Sequence, residues 1–154
     1  MKSKYEQLFL TTTDTVTGIG APVSKENYEA ILDLKQRDPD KGFIIMVGSL
    51  EQARKFKDWS PKAEKLAAEH WPGEVTLALS EKVALRMPGF LALRDLIIAL
   101  GPVYMTSANE QGEAPLKLSQ AKETFYEIRK FYDFGKGSGT PSMIIRVKDG
   151  EVLR

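Results

Sequence analysis

Cysteine is absent from the 154-residue sequence, and histidine occurs once, at His70. Disulfide bridges, thiolate nucleophiles and cysteine-based metal sites are therefore excluded. A single histidine also excludes a metal site built from several imidazoles. Because His70 has no second histidine or cysteine to act with, we interpret it as a structural neighbour of Trp71 and not as half of a catalytic dyad.

Long apolar runs and an excess of one charge are also missing. No segment approaches the roughly 20 apolar residues that cross a bilayer, and the start MKSKYEQLFL lacks the apolar stretch of a signal peptide. The 22 basic and 21 acidic residues leave a net charge of +1, which does not indicate non-specific binding to nucleic acid. We therefore expect a cytoplasmic protein, not associated with membranes, that meets any polyanion through a local cluster of cations.

The composition is typical of one globular domain. Hydrophobic residues make up 42% of the chain and charged residues 28%, a balance that separates it from disordered and fibrous proteins. A chain of this length buries enough surface to form a complete core without cross-links. The sequence contains no repeat, low-complexity tract or linker, so residues 1–154 are predicted to form a single domain.

Strand and helix patterns alternate along most of the chain. Strands are predicted at residues 7–11, 43–47, 75–79, 83–87, 103–106 and 142–147. Helices are predicted after the N-caps Ser24, Ser49 and Ser60, and over residues 91–100 and 118–132. Gly18 and Gly20 are interpreted as a break between elements, and Asp149-Gly150 as a hairpin turn. The order indicates an α/β fold with a twisted, mixed parallel and antiparallel sheet flanked by helices.

Three cations are grouped near the end of the first predicted helix, namely Lys35, Arg37 and Lys41. Lys35 follows Tyr28 by seven residues, so it continues the apolar face of that helix. The group could hold a polyphosphate, with Arg37 donating two parallel hydrogen bonds. Between residues 35 and 65 there are eight basic and five acidic residues, and on composition alone this small excess favours an ordinary solvated face.

Polar side chains follow two of the predicted strands. Five residues, 11–15, are four threonines and an aspartate, and Thr106, Ser107 and Asn109 follow the apolar run that begins at residue 103. Polar groups at the carboxyl end of a strand suit capture of a small ligand in an α/β sheet. The same residues are also common in strands and turns that bind nothing, so both interpretations remain open.

Two further segments could bind anions. The glycine-rich segment 135–142 could form a nest of N–H groups or a surface loop, and Arg86 could pair with a ligand carboxylate or with an acidic neighbour. The sequence contains neither GxGxxG nor GxxxxGK[ST], so the usual dinucleotide and P-loop sites are excluded. A nucleotide would have to be bound in another way.

The order of these segments resembles the YrdC-like family. The matching segments are TDTVTGIG at 13–20, LKQR at 34–37 with DKG at 40–42, WPG at 71–73 with VTL at 75–77, ALRMP at 84–88, TSAN at 106–109, GTPS at 139–142 and VLR at 152–154. Each motif is weak alone, but their collinear order over nearly the whole chain is specific. The resemblance implies a YrdC/RibB-like twisted sheet with a concave, positively charged face.

The resemblance also implies an activity. Members of this kind are threonylcarbamoyl-AMP synthases, which condense L-threonine, bicarbonate and ATP, supplied with magnesium, to threonylcarbamoyl-adenylate and pyrophosphate. A downstream threonylcarbamoyl-transferase complex then modifies an adenosine of tRNA. By matching position, Lys35 and Arg37 would be catalytic, and ATP would be bound by Lys35, Arg37, Lys41, Asn109 and Arg154. L-Threonine or its carbamate would be bound by Thr15, Arg86, Ser107 and Ser142, and no residue is implied as a metal ligand.

Two other functions remain open on the sequence. Thr12 and Thr17 stand where the family usually has a proline and an aromatic residue, so the chain could bind tRNA or double-stranded RNA without catalysis; the net charge of +1 weighs against this. A carbamoyl-adenylate domain of a hydrogenase-maturation enzyme is less favoured, because the chain has no cysteine for the zinc fingers beside such domains. Since the first predicted strand begins at residue 7, we also expect the family's N-terminal helix to be missing.

Overall fold

The computed structural model describes residues 3–36, 42–110 and 112–154. Its elements follow in the order β1 (Phe9–Thr11), β2 (Gly18–Pro22), α1 (Lys25–Lys35), β3 (Ile44–Met46), α2 (Leu50–Arg54), α3 (Pro61–His70), β4 (Val75–Ala78), β5 (Ala84–Arg86), α4 (Leu91–Leu100), β6 (Val103–Ser107), α5 (Leu118–Thr124), β7 (Lys130–Tyr132) and β8 (Met143–Arg146). Arg37 and Lys41 lie outside the described residues. None of the helices in the described ranges has the length and hydropathy that a membrane span requires.

Three helices begin at the serine N-caps that the sequence predicts. The Oγ atoms of Ser24, Ser49 and Ser60 each accept a hydrogen bond from the N–H three residues further on, at 3.1–3.2 Å. Caps of this kind contribute about 1 kcal/mol each. At its other end, α1 stops because Gln36 adopts a left-handed conformation, with φ of 52°. Lys35 is therefore the last helical residue, at the point where the chain turns.

The strands form one mixed sheet in the order β7-β1-β2-β6-β3-β5-β4-β8. β1–β2, β2–β6, β6–β3 and β5–β4 are antiparallel pairs, whereas β7–β1, β3–β5 and β4–β8 are parallel. This confirms the predicted α/β class with a mixed sheet. After β8 the chain turns at Asp149-Gly150, and Val152 forms a single antiparallel bridge with Ile145.

Helices cover the two faces of the sheet unequally. Ile19, Ile45, Leu77, Leu85 and Ile145 lie on one face, which we call the helix-covered face, and pack against α1, α2, α3 and α5. Their strand neighbours point to the opposite face. There Met46, Val103 and Met105 pack against α4, and the rest of that face, which we call the open face, lines two cavities.

The interpretation of Gly18 and Gly20 as a break is wrong, because both lie in β2 between β1 and β6. Glycine is needed in this strand for close packing and not for a turn. A Cβ added at Gly18 would stand 2.5 Å from Met105 Sδ, and one at Gly20 would stand 2.5 Å from the Phe9 ring. Glycine in a strand interior often marks such a close approach.

The predicted helix over residues 118–132 is correct only in its first half. Helix α5 ends at Thr124, and Lys130–Tyr132 forms the edge strand β7, which pairs in parallel with β1. Phe125 and Ile128 still lie in the core beside α5. Their apolar spacing favours a helix, but here a turn after α5 brings both side chains into the core. Pairing with a distant strand decides the conformation here.

Candidate active site

A cavity of about 170 Å³ lies on the open face of the sheet. Five of the predicted site residues line it, namely Thr15, Arg86, Ser107, Ser142 and Arg154. The cavity shares Phe43, Ile44 and Arg154 with a neighbouring cavity of about 740 Å³. The second cavity extends over Ala78 and Ala84, whose small side chains leave that part of the sheet uncovered. The open face therefore carries a continuous groove that passes Arg154.

Arg86 is the most deeply buried charge in the groove among the described residues, with 3% of its side chain exposed. Its Nη1 donates to Asp14 Oδ1 at 2.7 Å and to the Gly73 carbonyl at 3.1 Å, and its Nη2 donates to Thr15 Oγ1 at 3.0 Å. Asp14 accepts a second bond, from the Gly89 N–H to Oδ2 at 2.8 Å. Burying a charge is costly unless the charge is paired and hydrogen-bonded. The Arg86 guanidinium is therefore held at the end of β5 in one orientation.

The hydrogen bonds around Thr15 have a fixed direction. Thr13 Oγ1 donates its one proton to the Val16 carbonyl at 2.7 Å, and it accepts from the Thr15 N–H at 3.0 Å. In its 3.1 Å contact with Thr15 Oγ1, Thr13 must therefore be the acceptor, so the Thr15 proton points to Thr13. Thr15 also accepts from Arg86. Toward a ligand, the Thr15 hydroxyl can consequently act only as a hydrogen-bond acceptor.

Arg154 provides a second guanidinium on the groove. Its Nε donates to the Ser142 carbonyl at 2.9 Å and its Nη2 donates to Ser142 Oγ at 3.2 Å. Ser142 Oγ also lies 2.7 Å from Thr76 Oγ1 on the sheet. Burial, together with the nearby positive charge of Arg86, lowers the pKa of Arg154 below its ordinary value. Two neighbouring cations that repel each other favour an anion between them.

Lys35 and Asn109 form a separate cluster at the end of β6. Lys35 Nζ donates to Thr106 Oγ1 at 3.1 Å, to the Ser107 carbonyl at 2.6 Å and to Asn109 Oδ1 at 3.2 Å. Both residues line a cavity of about 310 Å³ that is distinct from the groove. Ser107 connects the two sites, because it lines the groove while its Oγ donates to Asn109 Oδ1 at 2.6 Å.

Asn109 already uses its side-chain hydrogen-bonding groups within the chain. Oδ1 accepts from Lys35 and Ser107, and Nδ2 donates to the carbonyls of Glu110 and Glu113 at 3.2 and 2.8 Å. Contact between this amide and a nucleotide would require that one of these bonds be exchanged. In this arrangement Asn109 fixes the positions of Lys35 and Ser107.

The glycine-rich segment 135–142 forms a wall of the site and not the nest of free N–H groups that the sequence allowed. The N–H of Ser138 donates to the Asp14 carbonyl at 3.0 Å, and the N–H of Gly139 donates to the Thr15 carbonyl at 2.8 Å. Gly137 lies against the same backbone, so that a Cβ there would collide with the carbonyls of Thr13 and Thr15. The segment therefore holds residues 13–15 from outside and carries Ser142 to the groove.

Sequence reasoning missed the residues that hold the predicted ones. Thr13 and Asp14 belong to the polar run 11–15 and Gly137 to the glycine-rich segment, but nothing in the sequence assigns them a part in holding Arg86 and Thr15. Gly89 follows the ALRMP motif and carries no signal of its own. Asp14 meets Arg86 and Gly89, which lie 72 and 75 residues away in the sequence, and Gly137 meets the backbone of Thr13 and Thr15. No local pattern reveals such contacts. Within residues 3–36, 42–110 and 112–154, no three acidic, histidine or cysteine side chains converge into a possible metal site.

Comparison with known proteins shows the family of the chain. The family model for Sua5, YciO and YrdC proteins, described as telomere recombination, matches residues 3–154. A threonylcarbamoyl-AMP synthase of Marinobacter nauticus is 31% identical over 170 residues, which cover 92% of this chain and 85% of the relative. A second threonylcarbamoyl-AMP synthase, from Pseudomonas fluorescens, is 28% identical over 160 residues and 92% of this chain.

Solved structures have the same fold. P. abyssi Sua5 complexed with L-threonine superposes with a TM-score of 0.83 at 30% identity, covering 98% of this chain and 51% of that structure's chain. The chain thus spans about half the length of Sua5. E. coli YciO gives a TM-score of 0.80 at 19% identity over 97% of this chain and 82% of its own, which is a likeness of fold. By its matched residues, its relatives and its sheet, the chain belongs to the Sua5/YciO/YrdC family.

Proposed function

We propose that this chain is a threonylcarbamoyl-AMP synthase that makes threonylcarbamoyl-adenylate and pyrophosphate from L-threonine, bicarbonate and ATP. One observation carries the proposal. The groove sets two guanidiniums, Arg86 and Arg154, beside the hydroxyls of Thr15 and Ser142. This is a site for a small anion with several polar groups, in a family whose relatives bear the synthase name.

The chemistry requires charge neutralisation and positioning more than an acid or a base. The threonine amine and bicarbonate combine with loss of water to a carbamate. A carbamate oxygen then attacks the α-phosphorus of ATP, the bond from that phosphorus to the bridging oxygen breaks, and pyrophosphate leaves. Negative charge gathers on the phosphoryl oxygens in the transition state, where fixed cations act best. A chain without cysteine and with one histidine can supply this.

The directions of the hydrogen bonds suit threonine in the groove. The Thr15 hydroxyl accepts, so its partner would be an N–H or O–H of the substrate and not the carboxylate. The carboxylate or the carbamate would be met by Arg86 and Arg154, two cations that line this cavity. Ser107 and Ser142 line the same cavity and complete the proposed threonine site.

ATP would lie along the groove past Arg154 and reach the cluster at the end of β6. We assign Lys35, Arg37, Lys41, Asn109 and Arg154 to the nucleotide, with Lys35 and Arg37 as the catalytic cations. Magnesium would enter with the nucleotide, bound to its phosphates and to several waters, as is usual for this ion. The product would pass to a tRNA-modifying transferase, and the reaction would take place in the cytoplasm.

Pyrophosphate release tests the proposal. We expect release that requires ATP, L-threonine and bicarbonate together, and a reduction of the rate in Lys35→Ala that is far larger than its effect on folding, measured by the melting temperature. The matched control is Glu64→Gln, which removes an exposed charge on α3 that pairs with Arg54 and should leave the rate unchanged. Release that does not depend on threonine would contradict the proposal. RNA binding with a steep salt dependence and no release would favour the RNA-binding function instead.

A further inference from the structure

Asp14 lies behind the proposed threonine site and connects three segments of the chain. Its two carboxylate oxygens accept from Arg86 Nη1 and from the Gly89 N–H, and its carbonyl accepts from the Ser138 N–H. Its side chain is 11% exposed, and it does not line the groove. We propose that Asp14 is the positioning residue for threonine: it orients Arg86, and through Arg86 the acceptor Thr15. This inference rests on the proposed function.

The donors of Arg86 show how the orientation is fixed. A guanidinium has five N–H groups in one plane. The two on Nη1 are directed to Asp14 and to the Gly73 carbonyl, and one on Nη2 is directed to Thr15. Among the described residues, the N–H of Nε and the second N–H of Nη2 have no such partner, so these two donors are available for a ligand. Of these three partners of Arg86, Asp14 carries a charge, whereas the Gly73 carbonyl and the Thr15 hydroxyl are neutral. The contact with Asp14 therefore contributes most to the orientation.

Two explanations of Asp14 make opposite predictions for an uncharged replacement. If only charge matters, Asp14→Asn removes a negative group beside an anion site, leaves Arg86 and Arg154 less neutralised, and binds threonine more tightly. If position matters, the amide can accept from Arg86 or from Gly89 but not from both, and Arg86 loses its orientation. Threonine binding then weakens although the site has become more positive.

Gly89 allows Asp14 to be displaced without changing it. A Cβ at Gly89 would lie 2.9 Å from Asp14 Oδ2 and 3.4 Å from its Cγ, with no other close contact. Gly89 does not line the groove, and its N–H is retained in Gly89→Ala. This variant should therefore push the carboxylate away from its place and weaken threonine binding in the same direction as Asp14→Asn. Asp14→Asn leaves the buried charge of Arg86 without its charged partner and could for that reason fail to fold. Gly89→Ala then provides the test in its place.

The experiment measures L-threonine binding by calorimetry and the KM values for threonine and ATP in the wild type, Asp14→Asn, Gly89→Ala and the control Glu64→Gln. We expect Asp14→Asn and Gly89→Ala to raise the threonine Kd and KM about 10- to 100-fold, the effect of losing a charge-assisted hydrogen bond. The ATP KM should change less than about threefold, which is well below the change expected from the loss of one such hydrogen bond. A purely structural role would instead change both KM values together.

The outcomes separate this inference from the proposed function. Tighter or unchanged threonine binding in Asp14→Asn and Gly89→Ala, in a wild type that binds threonine, would overturn the positioning role and leave the proposed function standing. Equal rises in the ATP and threonine KM values would overturn it too. No threonine binding and no pyrophosphate release in the wild type would overturn the proposed function itself.

Discussion

Replacement of Thr15 by valine tests the direction of the hydrogen bonds in the groove. Valine has nearly the shape of threonine but cannot accept a hydrogen bond. Arg86 Nη2, in a side chain that is 3% exposed, would lose its 3.0 Å partner. Leaving a buried charged donor unsatisfied costs about 1–3 kcal/mol. For a domain of this size that corresponds to a fall of about 3–9 °C in the melting temperature.

Substrate binding should suffer as well, because the lost acceptor also faces the ligand. We expect Thr15→Val to weaken threonine binding about 10- to 100-fold, while Thr15→Ser, which keeps the oxygen and loses the methyl group, stays within about threefold. Thermal denaturation and threonine titration of both variants provide the two readouts. Near-normal binding by the valine variant, with weak binding by the serine variant, would refute the reasoning. The methyl group and not the oxygen would then be the feature that matters.

Two other variants test different parts of the account. Gly137→Ala should displace segment 135–142 from the carbonyls of Thr13 and Thr15 and reduce threonine affinity. Because the colliding atoms belong to the backbone, the melting temperature should fall as well. Titration with threonine and a melting curve measure the two effects, and a normal affinity would show that the close approach is not required. Glu64 has its pKa lowered to about 2 by hydrogen bonds from Arg54 and Trp59. Because the folded pKa is below the ordinary value of 4.5, its contribution is present above that value and is lost as the pH falls toward 2. In Glu64→Gln the free energy of unfolding should therefore fall less steeply with decreasing pH between these two values. Unfolding experiments at a series of pH values measure this slope. A slope equal to that of the wild type would contradict the assigned ion pair.

The sequence predicts most elements of this fold because their signals are local. Serine N-caps and apolar spacing identify α1 and α3, and the apolar run 91–100 coincides with α4. The signals fail where distant partners decide the conformation. Gly18 lies in a strand because it makes room for Met105, and Lys130–Tyr132 becomes a strand because β1 lies beside it.

The site follows the same division. The order of the motifs predicts five site residues that the structure places around one cavity, namely Thr15, Arg86, Ser107, Ser142 and Arg154. Lys35 and Asn109 lie around the end of β6 in a neighbouring cavity, joined to the first through Ser107. Their roles toward ATP and threonine stay predictions. The residues behind the site could not be predicted, because Asp14 acquires its role only through partners 72 and 75 positions away.

The most direct test of the central claim is the chemical identity of the product. Purified protein would be incubated with ATP, magnesium, L-threonine and isotope-labelled bicarbonate, and the adenylates analysed by mass spectrometry. We expect an AMP adduct that contains both threonine and the labelled carbon. A threonine–AMP adduct without the label, or AMP adducts that form equally without threonine, would contradict it.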